Sequence, residues 1–200
     1  MVSQVHQDKR GIIWMVTGDG LQCFDGREFR TFRISMNGVF NHSDNMMRMM
    51  VENKQGNFII SSSSALFSFD PVAGKFSYIK RKASIYYALF NVLLDGKPLV
   101  WTQNEGLCIA DEHSLTPLNL IFDSHASPPD NFFPLETVKS SNGDILISGN
   151  NGIIRIIGNT GKELTTFNCS WSPITGIDAM AADKDGNVYM VKDQYLFRFA

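Results

Sequence analysis

The chain has 200 residues, 44% of them hydrophobic and 12% aromatic, with 18 basic and 20 acidic residues and a formal net charge of -2. That is enough apolar material for a sizeable core, and the near balance of charge, with no long basic run, argues against a nucleic-acid surface. No stretch reaches the ~18 apolar residues of a membrane-spanning helix, because the longest apolar patch, YYALFNVLL (Tyr86 to Leu94), is broken by Asn91.

Read in chain order, the sequence repeats one unit. Copy one runs from Val2 to Ile34, copy two from Met47 to Arg81, copy three from Tyr87 to Leu120 and copy four from Leu135 to Cys169. Copy five, Asp178 to Ala200, is shorter. A turn glycine marks each copy: Gly11, Gly56, Gly96, Gly143 and Gly186 follow one another at spacings of 45, 40, 47 and 43. In copy one the strands read VSQVHQ, IIWMVT, LQCFD and EFRTFR. The turn between the first two is DKRG, then NKQG, LDG, SNGD and DKDG in the later copies. Asp, Asn and Gly tolerate the backbone conformations that such turns need. Strand two is short, apolar and rich in Ile, Val and aromatics, as a strand buried on both faces should be. Helical periodicity is absent apart from a turn or two in the longer connections.

Four antiparallel strands every 40 to 47 residues predict an all-β chain of β-propeller blades. One blade cannot bury both its faces, so Trp14, Ile59, Leu99, Leu146 and Tyr189, which share the strand-two position, are expected to pack between neighbouring blades. About four and three-quarter blades are expected in residues 1–200 as one segment, beginning with an innermost strand directly after Met1 and with no signal peptide. The three cysteines, Cys23, Cys108 and Cys169, include no CxxC pair and read as small buried apolar residues.

The stretch QDKRGIIWMVTGDGLQCFDGREF (Gln7 to Phe29) resembles the repeat of the two-component regulator propeller family. The matching positions are Asp8, Gly11, Trp14, Thr17, Gly20, Leu21, Asp25, Gly26 and Phe29. Copy three keeps Trp101, Thr102, Gly106 and Leu107, with its tryptophan shifted along the strand, whereas copies two, four and five lose the Trp and Thr. The resemblance implies a fragment of a seven-bladed ring, which needs about 300 residues. It also implies a periplasmic sensor region of a membrane-anchored hybrid histidine kinase, responding to an oligosaccharide and relaying to a kinase outside these residues. The partners expected on that reading are the remaining blades, downstream sensor domains and, through open blade edges, a second copy.

Motifs for catalysis are sparse. His6, His42, His113 and His125 are scattered, with no HExxH or HxH pair, so no metal site is expected. AADKDGN (Ala181 to Asn187) has Ala181, and Lys192 lies beyond it, where a calcium loop needs oxygen ligands, and it is read as a β-turn. SSSS (Ser61 to Ser64) lacks the strand–turn–helix context of a nucleophile elbow and is placed at the strand-two to strand-three turn. No catalytic residue and no cofactor is expected.

Ligand recognition is instead expected on loops at one end of the strands. These are the strand-two to strand-three turns and the inter-blade connections SMNGVFNHSDN (Ser35 to Asn45), FDSHASPPDNFFP (Phe122 to Pro134) and SWSPITG (Ser170 to Gly176). Their mixture of aromatics, carboxylates and amides suits a sugar, and the candidate ligand-binding residues are His42, Asp44, Asn104, Glu105, Asn131, Phe132, Asn150 and Trp171. The leading reading is a non-catalytic sensor propeller. A protein-interaction scaffold without a small ligand is the alternative, followed by a polysaccharide-acting propeller enzyme.

Overall fold

A computed structural model of the chain describes residues 1–36, 38–81, 87–94, 96–122, 131–156 and 166–199. The turn residue Asp95 and most of the connection from Phe122 to Pro134, with His125, lie outside the described residues. The chain forms two compact units, Met1–Pro117 and Leu118–Ala200.

The first unit holds three four-stranded antiparallel sheets. The first sheet is β1 (Val2–Gln7), β2 (Ile13–Thr17), β3 (Gly20–Phe24) and β4 (Phe29–Phe32), paired in chain order. A connection follows, with the two-stranded β5 (Ser35–Met36) and β6 (Val39–Phe40) and the single-turn helix α1 (His42–Asn45). The second sheet is β7 (Met47–Glu52), β8 (Phe58–Ser62), β9 (Ala65–Asp70) and β10 (Lys75–Arg81). The third is β11 (Tyr87–Leu94), β12 (Lys97–Thr102), β13 (Gly106–Ala110) and β14 (Leu115–Pro117).

The core of this unit follows from strand alternation, which sends successive side chains to opposite faces. Phe58 and Ile60 of β8 join Trp14, Val16, Leu21, Phe67 and Phe69 in one cluster, while Ile59 turns the other way to meet Leu66, Val100 and Ala110. Every residue of β8 is buried, as expected for a strand covered on both faces. Trp14, 1% exposed, packs its ring against Phe58 at 5.0 Å, Phe69 at 5.6 Å and Phe32 at 5.8 Å. It therefore fills the layer between the first two sheets, as its strand-two position predicts.

The second unit contains β15 (Asn119–Phe122), β16 (Pro134–Lys139), β17 (Ile145–Gly149), β18 (Gly152–Ile156) and β19 (Thr166–Ser172), in spatial order β15-β19-β18-β17-β16. A three-stranded sheet follows, β20 (Ala179–Ala182), β21 (Val188–Lys192) and β22 (Tyr195–Phe199). Leu146 and Ile153 pack with Ile177, Val188 and Met190.

Three details differ from the sequence expectation. The end of copy three is divided: Leu115–Pro117 closes the third sheet, whereas Asn119–Phe122 runs parallel to β19 as a fifth, outermost strand. Trp171, expected on a connection between blades, lies in β19 opposite Ile154, because the fourth strand of that sheet continues to Ser172. Ser61 and Ser62 are buried strand residues, and only Ser63 and Ser64 make the turn.

The candidate functional site

The turns at the two ends of strand two are built differently, and each is rebuilt from copy to copy. At the β1–β2 end the organising residue is Asp8. Its Oδ1 accepts the backbone N–H of Arg10 at 2.9 Å and of Ile12 at 3.0 Å, and its Oδ2 accepts the Trp14 indole N–H at 3.0 Å. Asn53 does the same for Gln55 and Asn57 at 3.0 and 2.9 Å, and Asp183 for Asp185 and Asn187, both at 2.9 Å. Such Asx turns satisfy backbone donors that no strand pairs.

At the β2–β3 end a hydroxyl takes that role. Thr17 Oγ1 donates to the Gly20 carbonyl at 2.8 Å and accepts from Asp19 N at 3.1 Å. Ser62 repeats both bonds with Ala65 at 3.2 Å and Ser64 at 3.2 Å, and Thr102 accepts from Glu105 N at 3.0 Å. Ser62 thus preserves the hydroxyl where the sequence loses the threonine. At Gly20 (φ +108°) a Cβ would lie 2.5 Å from the Phe32 carbonyl oxygen, so only glycine fits that turn.

The first unit presents His42 and Asp44 from α1 and Asn104 and Glu105 from the β12–β13 turn. His42, Asn104 and Glu105 are exposed. Asp44 is 1% exposed: its carboxylate accepts the Tyr78 hydroxyl at 2.5 Å and the Ser64 hydroxyl. Asp44 therefore ties α1 to β10 and to the β8–β9 turn rather than facing solvent. Its neighbour Asn45 is completely buried and clamps Ile34, with Oδ1 accepting from Ile34 N at 2.7 Å and Nδ2 donating to Ile34 O at 2.9 Å. Two residues outside the candidate set stand near His42. Arg33 forks onto Asp19 at 2.6 and 3.2 Å. Hydrogen bonding to Arg33 holds the Asp19 carboxyl below its ordinary range against the opposing effect of burial, with the charges of Arg33 and His42 acting in the same direction as the bond. Phe40 and Val39 of β6 are exposed on this connection.

The second unit brings Asn131, Phe132 and Asn150 together. Asn150 Oδ1 accepts from Phe133 N at 2.7 Å and its Nδ2 donates to Asn131 O at 3.1 Å. Asn151, absent from the candidate set although adjacent in NNG, donates from Nδ2 to Asn131 Oδ1 at 2.8 Å. Asn131 and Asn150 are exposed, and so is Phe133 at 40%. Phe132 is 6% exposed and lies over Gly149, where it supports the loop from beneath. The result is a surface of three amides beside the partly exposed side chain of Phe133, with Asn131 Nδ2 and Asn151 Oδ1 making no hydrogen bond to the described residues. The side chain of Trp171 lies outside the described residues.

Among the described residues no three His, Cys, Asp or Glu side chains come together as a metal-binding group, and no helix is long and apolar enough to cross a membrane. Cys23 and Cys108 are buried, and burial pushes the Cys23 thiol above its usual range.

No family model and no curated protein matches the chain. Solved structures do. The chain aligns over its full length with 32% of the extracellular domain of the hybrid two-component system BT4673 from B. thetaiotaomicron, at 16% identity and a TM-score of 0.56. It aligns over 99% of its length with 69% of catalytically inactive virginiamycin B lyase from Staphylococcus aureus crystallised with quinupristin, at 12% identity and a TM-score of 0.66. It aligns over 95% of its length with 61% of YCF48 bound to a D1 peptide, at 12% identity and a TM-score of 0.55. The chain spans about a third of the length of the first of these. The fold is that of a β-propeller. These structures are an extracellular domain of a two-component system, a lyase and a peptide-bound protein, so the shared fold does not choose among such roles.

Proposed function

We propose that the chain is a non-catalytic sensing segment of a periplasmic two-component protein. On this reading it recognises an oligosaccharide at the loop end of its sheets and relays to a histidine kinase elsewhere in the protein. The observation that carries the reading is the amide surface of Asn131, Asn150 and Asn151 beside the Phe133 side chain, which is 40% exposed. Saccharides present hydroxyls in bidentate pairs and C–H faces, which amides and aromatic rings match. In the first unit, taken by itself, His42, Asn104 and Glu105 are solvent-facing candidates for polar contacts, and in the second Trp171 remains a candidate aromatic. Asp44 and Phe132 act one layer below, holding the loops that carry the contact residues. The likeness to the extracellular domain of BT4673 along the whole chain and the repeat pattern of Gln7 to Phe29 support the signalling assignment and a periplasmic location.

A second reading, a protein-interaction surface or self-association, is favoured by β22. Its residues Tyr195, Leu196 and Phe197 are all exposed, whereas β18, the third strand of the other sheet in that unit, is buried apart from the partly exposed Arg155. An apolar edge of this kind takes a further strand, whether from later residues of the protein or from a partner.

Thermal unfolding of the chain against purified oligosaccharides, with light scattering for mass, separates the readings. A ligand at a hundred times its Kd stabilises the fold by about 2.7 kcal/mol. Stabilisation by one glycan class without its cleavage, lost in Asn131→Ala with Asn151→Ala, supports the sensor. A folded sample that no glycan stabilises overturns it, and a concentration-dependent mass then favours the interaction surface.

A further inference from the structure

The second unit holds a cavity of about 470 Å³ beside β21 and β22, a volume within the range of small-molecule sites. Ile174 and Ile177 of the connection from Pro173 to Asp178, Met190 of β21, and Tyr195 and Phe197 of β22 supply its apolar lining. The connection is fixed in place. Asp178 N donates to the Val191 carbonyl at 2.8 Å, and Ile177 is buried in one cluster with Leu146, Ile153 and Met190.

The cavity lies where copy five departs from the repeat. Strand three opens with Gly20, Ala65, Gly106 and Gly152 in the first four copies and with Tyr195 in the fifth. Pairing sets Met190 opposite Phe197 and Lys192 opposite Tyr195. These four side chains therefore share one face of the sheet, the face on which Met190 meets Leu146 and Ile153 of the preceding sheet, while Leu196 takes the other. In the second sheet the same positions of strand three are Ala65 and Phe67, both completely buried, whereas Tyr195 is 68% and Phe197 51% exposed. Two differences account for this. Phe67 lies against Phe76 and Tyr78 of a fourth strand, and β22 pairs among the described strands with β21 alone. Phe32, which packs on Trp14 and Phe69, is matched in β19 by Ser172, which stands opposite Ile153 as Phe32 stands opposite Leu21. A serine there withdraws one ring from the layer between the two sheets.

The remaining lining is charged, with Lys192 and Arg198 against a single carboxylate, Asp193. None of the three makes a hydrogen bond or ion pair among the described residues. The stem of Lys192 extends towards the connection, where a Cβ on Gly176 would lie 3.6 Å from Lys192 Cε. We infer that this cavity binds a compact amphipathic anion, an aromatic or branched aliphatic carboxylate. Its apolar body rests against Ile174, Tyr195 and Phe197, and its charge meets Lys192. The excess of positive charge selects an anion, and the apolar lining suits a hydrocarbon or aryl body better than a bare sugar, whose hydroxyls would lack partners there. None of the lining residues belongs to the amide surface of Asn131, Asn150 and Asn151, and either site can exist without the other.

The test is NMR titration of the full chain with hydrocinnamate, with hydrocinnamyl alcohol and with acetate. Hydrocinnamate should shift the methyl resonances of Ile174, Ile177 and Met190 and bind about tenfold more tightly than the alcohol, the gain of one charge-assisted contact. Acetate, which has the charge without the body, should not bind. Lys192→Gln should remove the preference for the acid. Tyr195→Ala, at an exposed position that leaves the fold intact, should weaken acid and alcohol alike, and Phe40→Ala, an exposed aromatic of the first unit, should change neither. No methyl shift with hydrocinnamate, a preference for the acid that survives Lys192→Gln, or binding unaffected by Tyr195→Ala overturns the site. So does a nuclear Overhauser contact in the free protein between the Tyr195 ring and another segment of the chain or a second copy, since the cavity would then be filled by protein.

Discussion

The indole nitrogen of Trp14 donates to the carboxylate of Asp8 at 3.0 Å, joining the largest side chain of the core to the turn that starts its strand. Asp183 and Tyr189 repeat the relationship six residues apart, with the tyrosine hydroxyl 3.2 Å from Asp183 Oδ2. One side chain thus closes a turn and satisfies the only polar atom of a buried aromatic. The pairing explains why an acid opens the turn and an aromatic follows at fixed spacing.

Removing that acid should be costly. Asp8→Ala leaves the Trp14 N–H and two turn N–H groups without their acceptor and should destabilise the chain by about 2 kcal/mol, the usual cost of an orphaned buried donor. The effect has a pH signature. Burial raises the Asp8 pKa, but the bonds from Trp14, Arg10 and the Ile12 and Arg10 amides outweigh it, so the folded value lies below the ordinary one. A carboxylate with a depressed folded pKa contributes stability above its unfolded value, near 4, that disappears as pH falls through the folded value. Urea unfolding at pH 7 and pH 3 should therefore show a smaller acid loss in Asp8→Asn than in the parent chain.

Trp14→Ala should cost about 3–5 kcal/mol, the range for deleting a large buried aromatic. Its ring touches Phe32 of its own sheet and Phe58 and Phe69 of the next. The loss should therefore appear as unfolding of the first two sheets together, read by hydrogen exchange at β2 and β8. Protection lost at β2 with β8 unaffected would contradict the shared core.

Gly149 is a steric requirement. A Cβ there would sit 2.3 Å from a Phe132 ring carbon and 2.7 Å from the Phe133 carbonyl oxygen. Gly149→Ala should cost about 1–3 kcal/mol, as overpacking does. Adding Phe132→Ala removes the ring clash but not the carbonyl clash, so a double-mutant cycle should show partial, not complete, rescue.

Asn45→Ala should release the connection that carries His42. Three of its hydrogen bonds hold Ile34 and Asn41, and their loss should cost about 2 kcal/mol. Limited proteolysis within residues 35–45 should accelerate, while Asn104→Ala, an exposed turn residue, should leave the cleavage rate unchanged.

What was legible in the sequence is what short-range chemistry decides. The Asx turns at Asp8, Asn53 and Asp183, the buried second strands and the inward position of Trp14 all follow from residues within one hairpin. Strand alternation and turn preference act over a few positions, so each repeat announces them by itself. The tertiary structure decided which polar side chains remain at the surface. Asp44 and Asn131 look alike as loop residues, yet one is buried by Tyr78 from a strand 34 residues away and the other stays open beside Asn150. It also decided that Asn119–Phe122 leaves the third sheet for an edge on β19, and that Trp171 belongs to a strand. Such choices depend on which partner edge has unpaired backbone groups within reach, and that is a property of the assembled sheets rather than of any one segment.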